Sequence, residues 1–151
     1  MIINRRISLL HRVVIWVTSL VFLASCTTIS PFNQKAYEQA TSLKVDALAL
    51  MDKATVPFST QRKSVDALKL NVEKAYEYSK GLPQNTETTQ QWIIIKDPLR
   101  NSLGGFLQRW KEKSTLRKAF IREAKSLVSD GFDQVIELES GKRKSEGSQK
   151  K

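Results

Sequence analysis

The sequence predicts an all-α fold, a small bundle of four or five helices, and three observations carry that expectation. Between Pro31 and Glu139, apolar residues recur at three-to-four spacing, the period that lines them up on one face of a helix. Helix breakers interrupt the pattern at Pro57, at Gly81 with Pro83, and at Pro98, dividing the span into lengths ordinary for helices. The chain of 151 residues has one cysteine, so no internal disulfide is available and stability has to come from a packed core.

The elements follow in order. Ser30 can cap free backbone amides and Pro31 suits a first helical position, so the first helix is expected over Pro31 to Ala54. Its apolar face is Ala36, Tyr37, Ala40, Leu43, Ala47, Leu48, Leu50, Met51 and Ala54. A second helix is expected from Ser59 or Thr60, with Val65, Leu68, Val72, Ala75 and Tyr76 facing inward, and Gly81 and Pro83 end it. Trp92 to Ile95 is aromatic and β-branched enough for a short buried strand. Asn85 or Thr86 as a cap, Glu87 in a first turn and the helical context instead favour a short helix ending before Pro98.

Leu99, Leu103, Phe106, Leu107 and Trp110 resume the helical spacing. Ser114 can cap a last long helix whose apolar face includes Leu116, Phe120, Ala124, Leu127, Val128, Phe132, Val135 and Leu138. After Glu139 the pattern stops. Residues 140–151 contain no apolar side chain and are expected to form a disordered basic tail.

The residues ahead of this helical span read as a targeting signal. Met1 to Arg12 carries Arg5, Arg6 and Arg12 and no acid, and Val13 to Leu23 is an apolar run of eleven residues. A bilayer span needs about 20 residues, so the run suits a removable secretory signal better than a transmembrane helix. The segment Leu23-Ala24-Ser25-Cys26 resembles the lipobox of bacterial lipoproteins. That resemblance implies cleavage between Ser25 and Cys26, diacylglycerol on the Cys26 thiol and an acyl chain on the new amino terminus. No other cofactor is expected.

Thr27 stands where aspartate is the familiar inner-membrane retention signal, so the resemblance favours an outer-membrane lipid anchor, or the plasma membrane in an organism with one membrane. The division that follows is a signal peptide over 1–25, a lipidated terminus and tether over 26–30, a helical domain over 31–139 and the tail over 140–151. Thr27 to Ser30, fully extended, reaches only about 14 Å, which holds the domain close to the bilayer.

The whole chain has a formal charge of +10. Removing the signal takes away three arginines and leaves 22 basic residues against 15 acids, a formal charge of +7. The sole histidine, His11, leaves with the signal, and acylation consumes the cysteine. No Ser-His-Asp triad, Cys-His pair, usual zinc ligand set or glycine-rich phosphate loop then remains. Asp130, Asp133 and Glu137 share helical spacing, but a solvated acidic face explains them, so no catalytic residue and no metal site are assigned.

The segment from Arg109 to Lys125 is the most suggestive. Arg109, Lys111, Lys113, Arg117, Lys118, Arg122 and Lys125 outnumber Glu112 and Glu123, with Phe106, Trp110 and Phe120 nearby. Such a face can engage anionic lipid headgroups or an acidic protein. The same segregation is also what any solvated surface helix shows. Nucleic acid is a poor partner for an exported, tethered chain.

Gly104-Gly105 carries a propensity cost of about 0.8 to 1 kcal/mol per glycine in a helix, which points to a kink or a close helix contact rather than a ligand loop. The matching segments "VDALAL" at Val45 and "VDALKL" at Val65 suggest two helices with similar apolar faces, or chance convergence.

These readings converge on a membrane-anchored lipoprotein acting as a non-catalytic binding or assembly factor in the bacterial envelope, its partner an envelope protein or the anionic membrane surface. The alternative is a surface-exclusion or defence-associated lipoprotein that blocks phage or conjugative entry. An envelope hydrolase is disfavoured by the missing histidine and nucleophile.

Overall fold

A computed structural model describes residues 30–149, with side chains as far as Lys142. Among these residues there are five α-helices and no strand. They are α1 (Gln34–Asp52), α2 (Phe58–Gly81), α3 (Thr86–Lys96), α4 (Leu103–Lys113) and α5 (Lys118–Gln149), with a 3-10 turn at Lys53–Thr55 after α1. The strand alternative for Trp92 to Ile95 is thus settled in favour of helix. The lipobox and signal peptide lie outside the described residues.

Five helices make four staves. α1 runs away from Ser30, α2 returns, α3 and α4 together run outward again, and α5 comes back. The antiparallel register of the first and last staves is fixed by two ion pairs, Lys44 to Asp133 and Lys125 to Asp52, both at 2.6 Å. Each pair lies eight residues from the other on both helices, so α1 and α5 stay side by side over that length. Ser30 and the end of α5 therefore share one pole of an up-down-up-down bundle. The 3-10 turn and the α4–α5 connection meet at the opposite pole, where the Phe58 amide donates to the Ser114 carbonyl and the Leu116 amide to the Ala54 carbonyl, both at 2.8 Å.

The core lies along the seam of all four staves. Met51, Ala54, Val65, Trp92, Trp110, Phe132 and Val135 are almost completely buried. Trp110 meets Phe58 edge to face at 5.6 Å, Trp92 meets Phe132 the same way at 5.9 Å, and the Trp110 indole donates to the Val56 carbonyl. Edge-to-face contacts of this kind suit the ring quadrupoles, and the indole N–H is satisfied despite its burial.

The third stave is broken because of its sequence. Pro98 cannot continue α3, and Gly104 and Gly105 let the first turn of α4 fold tightly against the end of α3. A Cβ on Gly104 would lie 2.6 Å from the carbonyl carbon and oxygen of Asp97, and one on Gly105 would overlap the Arg100 carbonyl oxygen. The expected close backbone contact is what the glycines provide, at a helix start rather than within a helix.

Some boundaries differ from the sequence expectation. Asn33, not Ser30, caps α1, its Oδ1 accepting from the Ala36 amide at 3.0 Å, so the helix starts three residues late. Ser114 instead ends α4 at φ 64°, its carbonyl accepting from Phe58, and α5 begins only at Lys118, too far on for Ser114 to cap it. Leu99 is 93% exposed in the turn after Pro98, and Leu127 is exposed on α5, whereas Ile121 takes a core position that the apolar pattern had not assigned.

The similar segments have different faces inward. Val65 and Leu68 are buried in the second, whereas Ala47 and Leu50 are buried in the first and Val45 is exposed. Their likeness is a coincidence of helix-forming sequence. α5 is described to Gln149, and Lys142 is its last buried side chain among the described residues.

Candidate functional site

The seven cations singled out in the sequence do not form one helix face. Arg109, Lys111 and Lys113 project from α4, Arg117 lies in the connection, and Lys118, Arg122 and Lys125 belong to α5. Most gather all the same, because the α4–α5 connection turns at the pole away from Ser30. Lys118, Arg122 and Lys125 line a shallow cavity of about 390 Å³ with Asp52 and Thr55. Lys111 shares another of about 250 Å³ with Arg62, Lys69 and Lys96.

Not all seven are available for a partner. Lys125 is held by Asp52, and the Arg109 guanidinium lies over the Phe120 ring at 4.6 Å. The remaining five, Lys111, Lys113, Arg117, Lys118 and Arg122, are exposed and make no ion pair among the described residues. Lys53 and Lys63 from the α1–α2 end add to the same pole. Sequence reasoning missed Lys53, Arg62 and Lys63 because they lie some fifty residues upstream, and only the antiparallel staves bring them alongside.

The opposite pole is polar in a different way. Lys142 is buried and donates to Glu139 Oε1 at 2.6 Å, to Asn85 Oδ1 and, at 3.4 Å, to Thr88 Oγ1. Asn85 in turn donates to the Ser79 carbonyl at 3.0 Å, and Tyr78 donates to the capping Asn33 at 3.1 Å. Glu139 is fully buried, and its Oε2 has no hydrogen-bond partner among the described residues. Lys142, with Ser30, Asn85, Thr88, Gln91 and Gln134, also lines a groove of about 910 Å³.

A burial signal for this pair is present in the sequence. Val128, Phe132, Val135, Glu139 and Lys142 continue one four-three spacing, but the last two are charged and drop out of an apolar pattern. Nearby, a hydrogen bond from Lys80 to Glu77 and the charge of that carboxylate hold the exposed Lys80 ammonium above its ordinary pKa.

Asp133 is engaged by Lys44, so the spaced acids of α5 are not a free carboxylate set. Among the described residues no cluster of three or more potential metal-ligating side chains occurs, and no helix is long and apolar enough to cross a membrane. No family model, curated protein or solved structure matches the chain.

Proposed function

We propose that the chain is a bacterial envelope lipoprotein, anchored through Cys26, whose helical domain is a non-catalytic binding module that presents its basic pole to an acidic face of another envelope protein. The observation that carries this reading is the position of the exposed cations at the end of the bundle opposite Ser30. From Lys142, level with the start of α1, to Lys118, the rise along α5 is about 36 Å.

A four-residue tether keeps the Ser30 pole at the bilayer, and in a bundle standing upright on it the basic pole lies well outside. Charges screened over about 8 Å at physiological ionic strength do not act on headgroups at that distance. Of the two partners that the sequence left open for these residues, an acidic protein is therefore favoured over the membrane surface.

The test is site-specific photocrosslinking in intact cells, with the probe at Lys113 or Arg117 and, as a control, at Lys74 on α2. An envelope protein should be captured from the first two positions only. Reversing Lys113, Lys118 and Arg122 to glutamate should abolish capture while leaving helicity unchanged, because all three side chains are exposed. Undiminished capture and an unaltered cellular phenotype in the folded triple variant would overturn the proposal.

A further inference from the structure

One apolar surface of the bundle is left uncovered. Between the third stave below Pro98 and α5 runs an open groove of about 720 Å³, lined by the buried Phe106 and Val128 and by Phe120, whose ring stacks on that of Phe106 at 6.1 Å. Two exposed leucines border it, one on each wall: Leu99, 93% exposed, in the turn before α4, and Leu127, 53% exposed, on α5. A single leucine in water is ordinary, but two beside an apolar groove make a contiguous patch of the kind that marks an interaction surface.

The walls also carry opposite charges. Arg109 stands on the α4 wall and Glu123 on the α5 wall, both exposed, and neither makes an ion pair among the described residues. Arg109 lies over the Phe120 ring at 4.6 Å and Glu123 follows Phe120 by one turn of α5, so the two charges are nearly level. The other charges of the groove are held on their own wall, Arg100 by Asp97 and Glu112 by the Gln108 amide. Because the third stave runs toward the α4–α5 connection and α5 runs away from it, both walls have the same order. The charge lies nearer that connection, and the leucine lies nearer the Ser30 pole.

We propose that this groove is the interface of a parallel homodimer, its occupant being the same face of a second copy. A two-fold axis along the bundle sets the α5 wall of each copy against the α3–α4 wall of the other and keeps every residue at its own level. Leu99 then meets Leu127 of the partner subunit, and Arg109 meets Glu123 of the partner subunit, each contact occurring twice. An antiparallel partner would set leucine against charge on both walls. The order of the side chains therefore selects the parallel sense, which is also the sense open to two chains anchored in one leaflet. Fifteen residues border the groove, short of the roughly 20 to 30 on each side of a standard interface, so the pair is reversible.

The experiment uses the full mature chain purified from membranes in detergent, with sedimentation equilibrium over a concentration series to read the monomer–dimer constant. Leu127→Asp replaces two apolar contacts by two desolvated carboxylates and should weaken dimerisation by about 100-fold or more. Glu123→Arg opposes like charges at two places and should weaken it about 30-fold. Adding Arg109→Glu to the same chain should restore the constant to within about threefold, a rescue available only when the partner carries both changes. The three side chains are exposed, so circular dichroism should show unaltered helicity.

A second arm fixes the register. When differently tagged copies carrying Leu99→Cys or Leu127→Cys share one membrane, oxidation with copper phenanthroline should trap the mixed-tag dimer and neither same-tag dimer. A chain that stays monomeric, a double variant no tighter than Glu123→Arg alone, or a Leu99→Cys copy that couples to its own kind would overturn the pairing. Capture of a different envelope protein, with no self product, by a photocrosslinker at Leu127 in intact cells would also overturn it. Mass spectrometry of the purified chain decides lipidation separately, so the dimer and the lipoprotein reading fail independently.

Discussion

Alanine at position 105 should destabilise the domain even though it replaces a helical glycine. Helix propensity alone favours the change by about 0.8 to 1 kcal/mol. The new Cβ, however, would overlap the Arg100 carbonyl oxygen and lie 3.0 Å from its carbon, which are backbone atoms of a turn already fixed by Pro98 and by the Ser102 hydroxyl on the Asp97 carbonyl. Overpacking of this kind costs about 1 to 3 kcal/mol when side chains can yield, and the upper end applies where backbone must move. The net loss is therefore about 1 to 2 kcal/mol, a fall in Tm of about 4 to 8 °C for a domain of this size.

Two other helical glycines calibrate the measurement. A Cβ on Gly131 would meet only Ile95 Cγ1 at 3.7 Å, and one on Gly141 would meet nothing within 4 Å. Alanine at either should raise the Tm by about 3 to 5 °C through propensity. Thermal melts of the mature protein followed by circular dichroism give the three values. A Gly105→Ala variant as stable as Gly131→Ala would refute the close contact between α4 and the turn that precedes it, and a Gly141→Ala variant without any gain would refute the course of α5 beyond Glu139.

The remaining predictions concern single residues. Lys142→Met leaves Glu139 buried and without its cation, so denaturant unfolding should show a loss of about 3 to 5 kcal/mol, largely recovered in the Glu139→Gln, Lys142→Met pair; a loss below about 1 kcal/mol would mean that the pair is not buried. Ser114→Gly removes the penalty of a left-handed non-glycine residue, and the same unfolding assay should show a gain of about 1 kcal/mol, with destabilisation counting against the turn geometry. Cys26→Ala should abolish labelling by a fatty-acid probe and leave an unprocessed precursor, whereas persistent labelling would remove the anchor from the argument.

The bundle was legible because burial and periodicity coincide in most of its helices. Ala40, Leu43, Ala47, Leu50 and Met51 on α1 and Val65, Leu68, Val72 and Ala75 on α2 are at once the apolar residues and the buried ones. The pattern failed where hydropathy and position part company. Leu99 and Leu127 are apolar yet exposed, and Glu139 and Lys142 are charged yet buried as an ion pair. Local chemistry also hid the caps: Ser30 and Ser114 have suitable side chains, but Asn33 caps α1 and the Ser114 carbonyl accepts from the Phe58 amide. The basic site was half visible, since the excess of charge is a sequence property and its place in the bundle is not.

That place follows from the number of staves. An up-down bundle with an even number of staves returns its C-terminus to the pole where its N-terminus began, and here α3 and α4 count as one stave because they run the same way. With three or five staves, the last connection, and with it Lys113, Arg117 and Lys118, would lie at the Ser30 pole. With four, that connection lies at the opposite pole, about 36 Å away along α5. Cations several screening lengths from Ser30 act on a different surface from one that lies against it. The break at Pro98, by adding a helix without adding a reversal, thus preserves the parity on which the proposed contact depends.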